Sequence, residues 1–79
     1  MSKKIKLIWD FRGPEASNTA KHHAAHLKDY AVMEELDLQI TGHSDYSSMH
    51  SIAFMVVEED HMIKVRDALI PHRGEIYDQ

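Results

Sequence analysis

Met49-His50-Ser51-Ile52-Ala53-Phe54-Met55-Val56-Val57-Glu58, followed at once by Glu59 and Asp60, is the stretch on which the fold turns. From Ile52 to Val57 apolar side chains fill both sets of alternating positions, so a strand here is covered on two sides. The acidic residues end it, and Asp60 suits the N-cap of a helix running through Ile70 with Met62, Val65 and Leu69 turned inward. Pro71-His72-Arg73-Gly74 stops that helix, and Glu75-Ile76-Tyr77 offers a short last strand.

Upstream, Ile5, Leu7, Trp9 and Phe11 alternate with Lys4, Lys6, Ile8 and Asp10, which predicts a strand with one strongly buried side. Gly13-Pro14 breaks it, and proline fits the first turn of a helix, where no amide hydrogen is needed. From Glu15 to about Glu35 there is no Gly or Pro, and Ala16, Ala20, Ala24, Leu27 and Ala31 fall on one helical stripe small enough to lie close to a sheet. Leu38 to Thr41 reads as a short strand and Gly42 to Ser48 as a polar turn.

The order is strand, helix, strand, strand, helix, strand. Right-handed crossovers then give an α+β, ferredoxin-like split βαβ arrangement: an antiparallel four-stranded sheet in the order 4-1-3-2, with two helices on one face. With Ile52, Phe54 and Val56 assigned to the helices, Ile8, Ala53, Met55 and Val57 are left on the open face. A homodimer packed through that face is the expected cover.

The segment Ser51 to Asp60, an apolar strand followed by an acidic turn into a helix, resembles the third strand and second helix of small dimeric α+β barrel proteins. That family includes haem-degrading monooxygenases and many short bacterial domains without an assigned activity. The resemblance implies a fold and a dimer more than a function.

Seventy-nine residues allow a single domain, 1–79, and exclude separate cofactor and substrate domains. Nine Lys plus Arg against thirteen Asp plus Glu give −4 at pH 7, and seven His titrate close to neutrality. An acidic chain without a basic block has no footprint for nucleic acid or an anionic membrane. The basic start Met1-Ser2-Lys3-Lys4 is not followed by a continuous apolar core, and no run approaches a membrane span, so a cytoplasmic protein is expected. With no cysteine, disulfides, thiolate metal sites and thiol nucleophiles are excluded.

The predicted topology brings the ends of the first two strands, the start of the third and the end of the second helix to one edge. Arg12, His43, His50, His72 and Arg73 collect there, beside the amides at the start of the first helix, and could hold a small anionic ligand. His43 and His50 are read as facing each other across a hairpin mouth. His22 and His26 are one helical turn apart with Asp29 further along, a spacing that suits zinc, nickel or copper, although solvated surface histidines share it. His23, beside the alanine stripe, reads as a half-buried structural residue.

Enzyme chemistry has less support. There is no G-x-S-x-G elbow and no phosphate-binding glycine loop. A haem pocket would take His23 or His50 as axial ligand, with Trp9, Phe11 and Phe54 as lining. The reading that results is a dimeric ligand- or metal-binding domain with a sensor or accessory role. A monooxygenase-type enzyme and a structural or protein-interaction module are the alternatives.

Overall fold

The computed structural model describes residues 3–36 and 38–77; Met1 and Ser2 of the basic start, Asp37, Asp78 and Gln79 lie outside the described residues. Strand β1 (Lys4–Arg12) leads into helix α1 (Ala16–Met33). The hairpin of β2 (Ile40–Ser47) and β3 (His50–Glu58) follows, and α2 (Glu59–Leu69) returns the chain to β4 (Arg73–Ile76). The strands lie in the order β2-β3-β1-β4 with every neighbouring pair antiparallel, and both helices pack over the same side. This is the ferredoxin-like split βαβ fold that the element order predicts. Among the described residues no helix is long and apolar enough to cross a membrane.

The facing of β3 differs from expectation. Ile5 stands opposite Val57, Leu7 opposite Met55 and Trp9 opposite Ala53, and directly opposed residues of an antiparallel pair share a face. These six form the core with Ala24, Leu27 and Ala31 of α1, Leu36 just beyond it and Val65 of α2. Ala53, Met55 and Val57 therefore lie under the helices, and of the four residues assigned to the open face only Ile8 is there.

Two steric constraints account for the reversal. α1 meets the sheet through alanines, and the aromatic space beneath it is already taken by Trp9 and Phe11 of β1. Phe54 instead lies over Gly42 of β2, where an added Cβ would come within 2.8 Å of the ring Cζ. Glycine at 42 makes room for the ring, and the ring fixes which side of β3 faces the helices.

The helix-free face covers itself. Ile8, Ile52 and Val56 are buried within the single chain. Ile8 is flanked across the strands by Phe54 on one side and Arg73 on the other, and the Lys6 ammonium sits 4.6 Å from the centre of the Phe54 ring. A cation over an aromatic face also lays its aliphatic stem across apolar neighbours. Burying these three residues thus requires no second copy.

β2 is longer than predicted. The polar run Gly42 to Ser47 is strand, paired with β3 as far as His50, and a bulge between Asp45 and Ser47 leaves Tyr46 as the extra residue. Helix α2 begins one residue before Asp60, with Glu58 at the cap position and Glu59 and Asp60 in the first turn, where negative charge suits the helix dipole. β4 begins at Arg73, not Glu75, and Gly74 lies in that strand opposite Leu7.

The left-handed residue that ends α2 is Ile70 (φ 49°). A β-branched side chain is poorly tolerated there, and the following Pro71 presses Ile70 toward extended conformations. Ile70 is largely exposed, so Ile70→Gly gives up little burial and relieves the strain. Thermal unfolding should show a gain of about 1 kcal/mol, and a loss of stability would refute it.

Candidate functional site

Strand alternation places Asp10 on the helix-free face beside Ile8 and opposite Ile52. A carboxylate among buried aliphatic residues must be partnered, and Asp10 is. Arg73 donates from Nε to Oδ2 at 3.0 Å and from Nη2 to Oδ1 at 3.2 Å. His50 adds a contact from Nε2 to Oδ1 at 2.9 Å. Only 18% of the Asp10 side chain and 19% of that of His50 remain exposed.

The Arg73 hydrogen bonds hold the Asp10 carboxyl down to about 2, helped by His50 and opposed by burial. Asp10 and the Tyr46 phenol in turn raise the pKa of the Arg73 guanidinium above its ordinary value. Because an ionised Asp10 only accepts hydrogen bonds, the His50 proton in this contact belongs on Nε2. That leaves Nδ1 as the nitrogen turned away from Asp10.

His72 is attached to the same aspartate from the other side. Its backbone N–H donates to the Ile8 carbonyl at 2.9 Å, and its Nδ1 accepts the backbone N–H of Asp10 at 2.8 Å. The ring takes the place of a strand carbonyl, so it must be neutral, with its proton on Nε2. The bulge turns Tyr46 over His50, ring edge to ring face, with centroids 5.0 Å apart. Arg12 stands opposite His50 in the β1–β3 ladder and is exposed.

Four of the five residues predicted to share this edge therefore do so: Arg12, His50, His72 and Arg73. His43 does not. It pairs with Ala53 and lies on the opposite face from His50, so there is no hairpin mouth between them. The cause is the extra length of β2, which makes His43 a mid-strand residue. Asp10 and Tyr46 escape sequence reasoning. Asp10 carries no signal of its own in β1, because only its β3 partner Ile52 and its neighbour Ile8 make its surroundings apolar. Tyr46 has none either, since its aim depends on the bulge.

His22, His26 and Asp29 are exposed along α1, and among the described residues no group of three or more His, Asp or Glu is arranged to hold a metal ion. Trp9 and Phe11 face the helices whereas Phe54 lies on the other side, so these three aromatics do not line one haem pocket. At the start of α1, Ser17 and the buried Ser51 both donate to the Asp45 carboxylate at 3.1 and 2.7 Å. Those bonds, Ser51 first, lower the Asp45 pKa and tie α1 to the hairpin.

His23 is the half-buried residue expected, packed at 5.0 Å from Trp9 and 5.5 Å from Phe11 between ring centroids. Its Nε2 is buried without a hydrogen-bond partner. Burial first, then the nearby His26 and His72, lower its pKa below 6.5. The unfolded chain then binds a proton there more readily than the folded one. Stability from this site is fully present above about pH 6.5 and is lost as the pH falls through the folded value. His23→Leu should remove that loss and gain about 1 kcal/mol at pH 7, by replacing an orphaned polar atom. Urea midpoints at pH 7.5 and 5.5 measure both effects, and an unchanged slope with pH would count against the assignment.

The network Asp10–Arg73–His50–Tyr46, with Arg12 and His72 at its margins, is the most organised polar constellation among the described residues. Comparison with protein families, with curated proteins and with solved structures returns no match.

Proposed function

We propose that this ferredoxin-like domain binds a small anion, a carboxylate or a phosphate monoester, on its helix-free face between His50, Arg12 and Tyr46. One observation carries the reading: a half-buried carboxylate, Asp10, is neutralised by Arg73 and holds His50 by Nε2, which leaves Nδ1, an acceptor in the neutral ring and a donor to an anion once protonated, as the nitrogen turned away from Asp10. Holding a ring in one orientation before the ligand arrives lowers the entropic cost of binding. The charge distribution supports it. This face carries Lys4, Lys6, Arg12 and Arg73 against Asp10, Glu58 and Glu75, a local excess of cations on a chain of net charge −4. A protonated His50 would add a second donor beside Arg12.

Titrating inorganic phosphate and then citrate into the protein, while following histidine and arginine side-chain NMR signals, tests the site. Saturable shifts at His50 and Arg12 that vanish in Arg12→Gln are expected. Shifts spread evenly over all seven histidines, or unaffected by Arg12→Gln, would refute it. A homodimer on this face would meet Phe54, Lys6 and Tyr46, not Met55. Sedimentation of the wild type against Lys6→Glu is the corresponding measurement, with a dimer dissolved by the substitution as the supporting result.

A further inference from the structure

Asp10 is held by two imidazoles whose hydrogen bonds respond to a proton in opposite senses. At the carboxylate, His50 donates from Nε2; a proton added at Nδ1 leaves that bond in place and makes it charge-assisted. At the backbone, His72 accepts through Nδ1; a proton added there abolishes the bond and sets two N–H groups against each other across 2.8 Å. The two contacts lie on opposite edges of one residue, since β1 is flanked by β3 on one side and β4 on the other.

We propose that Asp10 is the pivot of a pH-operated device regulating the anion site: acidification loosens the His72–Arg73 turn on β1, while His50 becomes the stronger partner of the Asp10 carboxylate. The regulatory part rests on the proposed anion site; the loosening itself does not. The charged and titratable groups around the two rings act in both directions: the Asp10 carboxylate attracts a cation on either ring, whereas the neighbouring arginines oppose one. His72 has Arg73 beside it on its own turn, Asp10 on β1 and His23 within electrostatic reach on α1. Both Arg73 and a protonated His23 repel a His72 cation. His50 has Asp10 and Arg12 on β1, Tyr46 on β2 and, through Asp10, Arg73 on β4.

Besides the ring, the turn is held by the His72 backbone N–H on the Ile8 carbonyl and by the two Arg73 bonds to Asp10, so losing the ring bond loosens it without detaching it. β4 is a four-residue edge strand whose side chains are all exposed, and Ile70 just before it is in a strained left-handed conformation. With the turn loosened, the Arg73 guanidinium, which shares the helix-free face with His50, is held less firmly on Asp10 and becomes available to an anion bound there. Acid thereby couples a charge gained at His50 to a cation loosened at Arg73.

Isosteric variants isolate each half. The Asn side-chain oxygen can stand where His72 Nδ1 stands and accept without titrating, and the Gln amide nitrogen can stand where His50 Nε2 stands and donate without titrating. Hydrogen exchange of the Asp10 backbone amide is measured in phosphate-free protein, with rates corrected for the intrinsic effect of pH. Between pH 7.5 and 5, protection in the wild type should fall about five- to tenfold, the loss equivalent to one hydrogen bond. His72→Asn should hold protection nearly constant, while His50→Gln should retain the fall. Protection that does not change in the wild type, or that falls equally in His72→Asn, overturns the proposal. Because no anion is present, failure of phosphate to bind leaves this outcome unaffected. If exchange behaves as expected, phosphate affinity in His72→Asn should lose its extra gain at low pH; an unchanged gain would remove the regulatory link.

Discussion

Met55→Asp is expected to leave the protein unfolded at 25 °C. Met55 has no exposed surface, stands between Leu7 of β1 and Thr41 of β2, and belongs to the core under both helices. A carboxylate there would stand among apolar core residues with no cation beside it, and its burial costs several kcal/mol even after its pKa rises. Domains of this size are stabilised by only about 5–10 kcal/mol in total. Losing the methionine contacts adds about 2–5 kcal/mol, as for Met→Ala in a core. Far-UV circular dichroism of Met55→Asp should therefore show an unfolded chain. Lys6→Glu, on the other face, should give a folded spectrum. A folded Met55→Asp protein with altered association would mean that Met55 faces outward after all, and would reverse the facing of β3.

That facing is the part of the fold least accessible from the sequence, and the reason is local. Gly13-Pro14, Pro71 and the spacing of Ala16, Ala20, Ala24 and Ala31 are signals contained in a few residues, and they predict the element order and topology. Ile52 to Val57 is apolar at every position, so its own periodicity cannot choose a side. The choice is made by partners far along the chain: Leu7 opposite Met55, and Gly42 beneath Phe54. β2 illustrates a second limit. As an edge strand it can carry Gly42-His43-Ser44-Asp45-Tyr46-Ser47 with most side chains in water, and such a composition reads as a turn.

The candidate site divides in the same way. His50, Arg12, His72 and Arg73 were legible because topology alone brings their strand ends together. His43 is the exception, because a polar edge strand such as β2 reads as a loop in the sequence. Asp10 looked like an ordinary outward residue of an alternating strand until β3 supplied Ile52 opposite it. A polar group that looks solvated in one strand becomes a half-buried, partnered charge once its neighbours are known.

Asp10→Asn tests that half-buried charge directly, and the expected result depends on pH. The Asp10 pKa is lowered from 3.8 to about 2, so the unfolded chain takes up a proton before the folded one as the pH falls. Its contribution to stability is fully present above about pH 4 and disappears between about pH 4 and pH 2. Asparagine keeps the shape and one acceptor oxygen but cannot meet both nitrogens of Arg73 and the Nε2 proton of His50 as a carboxylate does. At pH 7 the variant should be less stable by about 1–3 kcal/mol, the range for hydrogen bonds to a charged group, with partial exposure of the site favouring the lower half. Urea unfolding of both proteins at pH 7, 4 and 2 should show the difference persisting at pH 4 and closing toward pH 2, where about half of wild-type Asp10 is protonated. Other acid-sensitive groups, such as Asp45, are common to both proteins and cancel in the comparison. A difference that stays constant down to pH 2 would assign the cost to packing. No difference at pH 7 would mean that Arg73 and His50 gain as much from water as from Asp10, and the preorganisation on which anion binding depends would be lost with it.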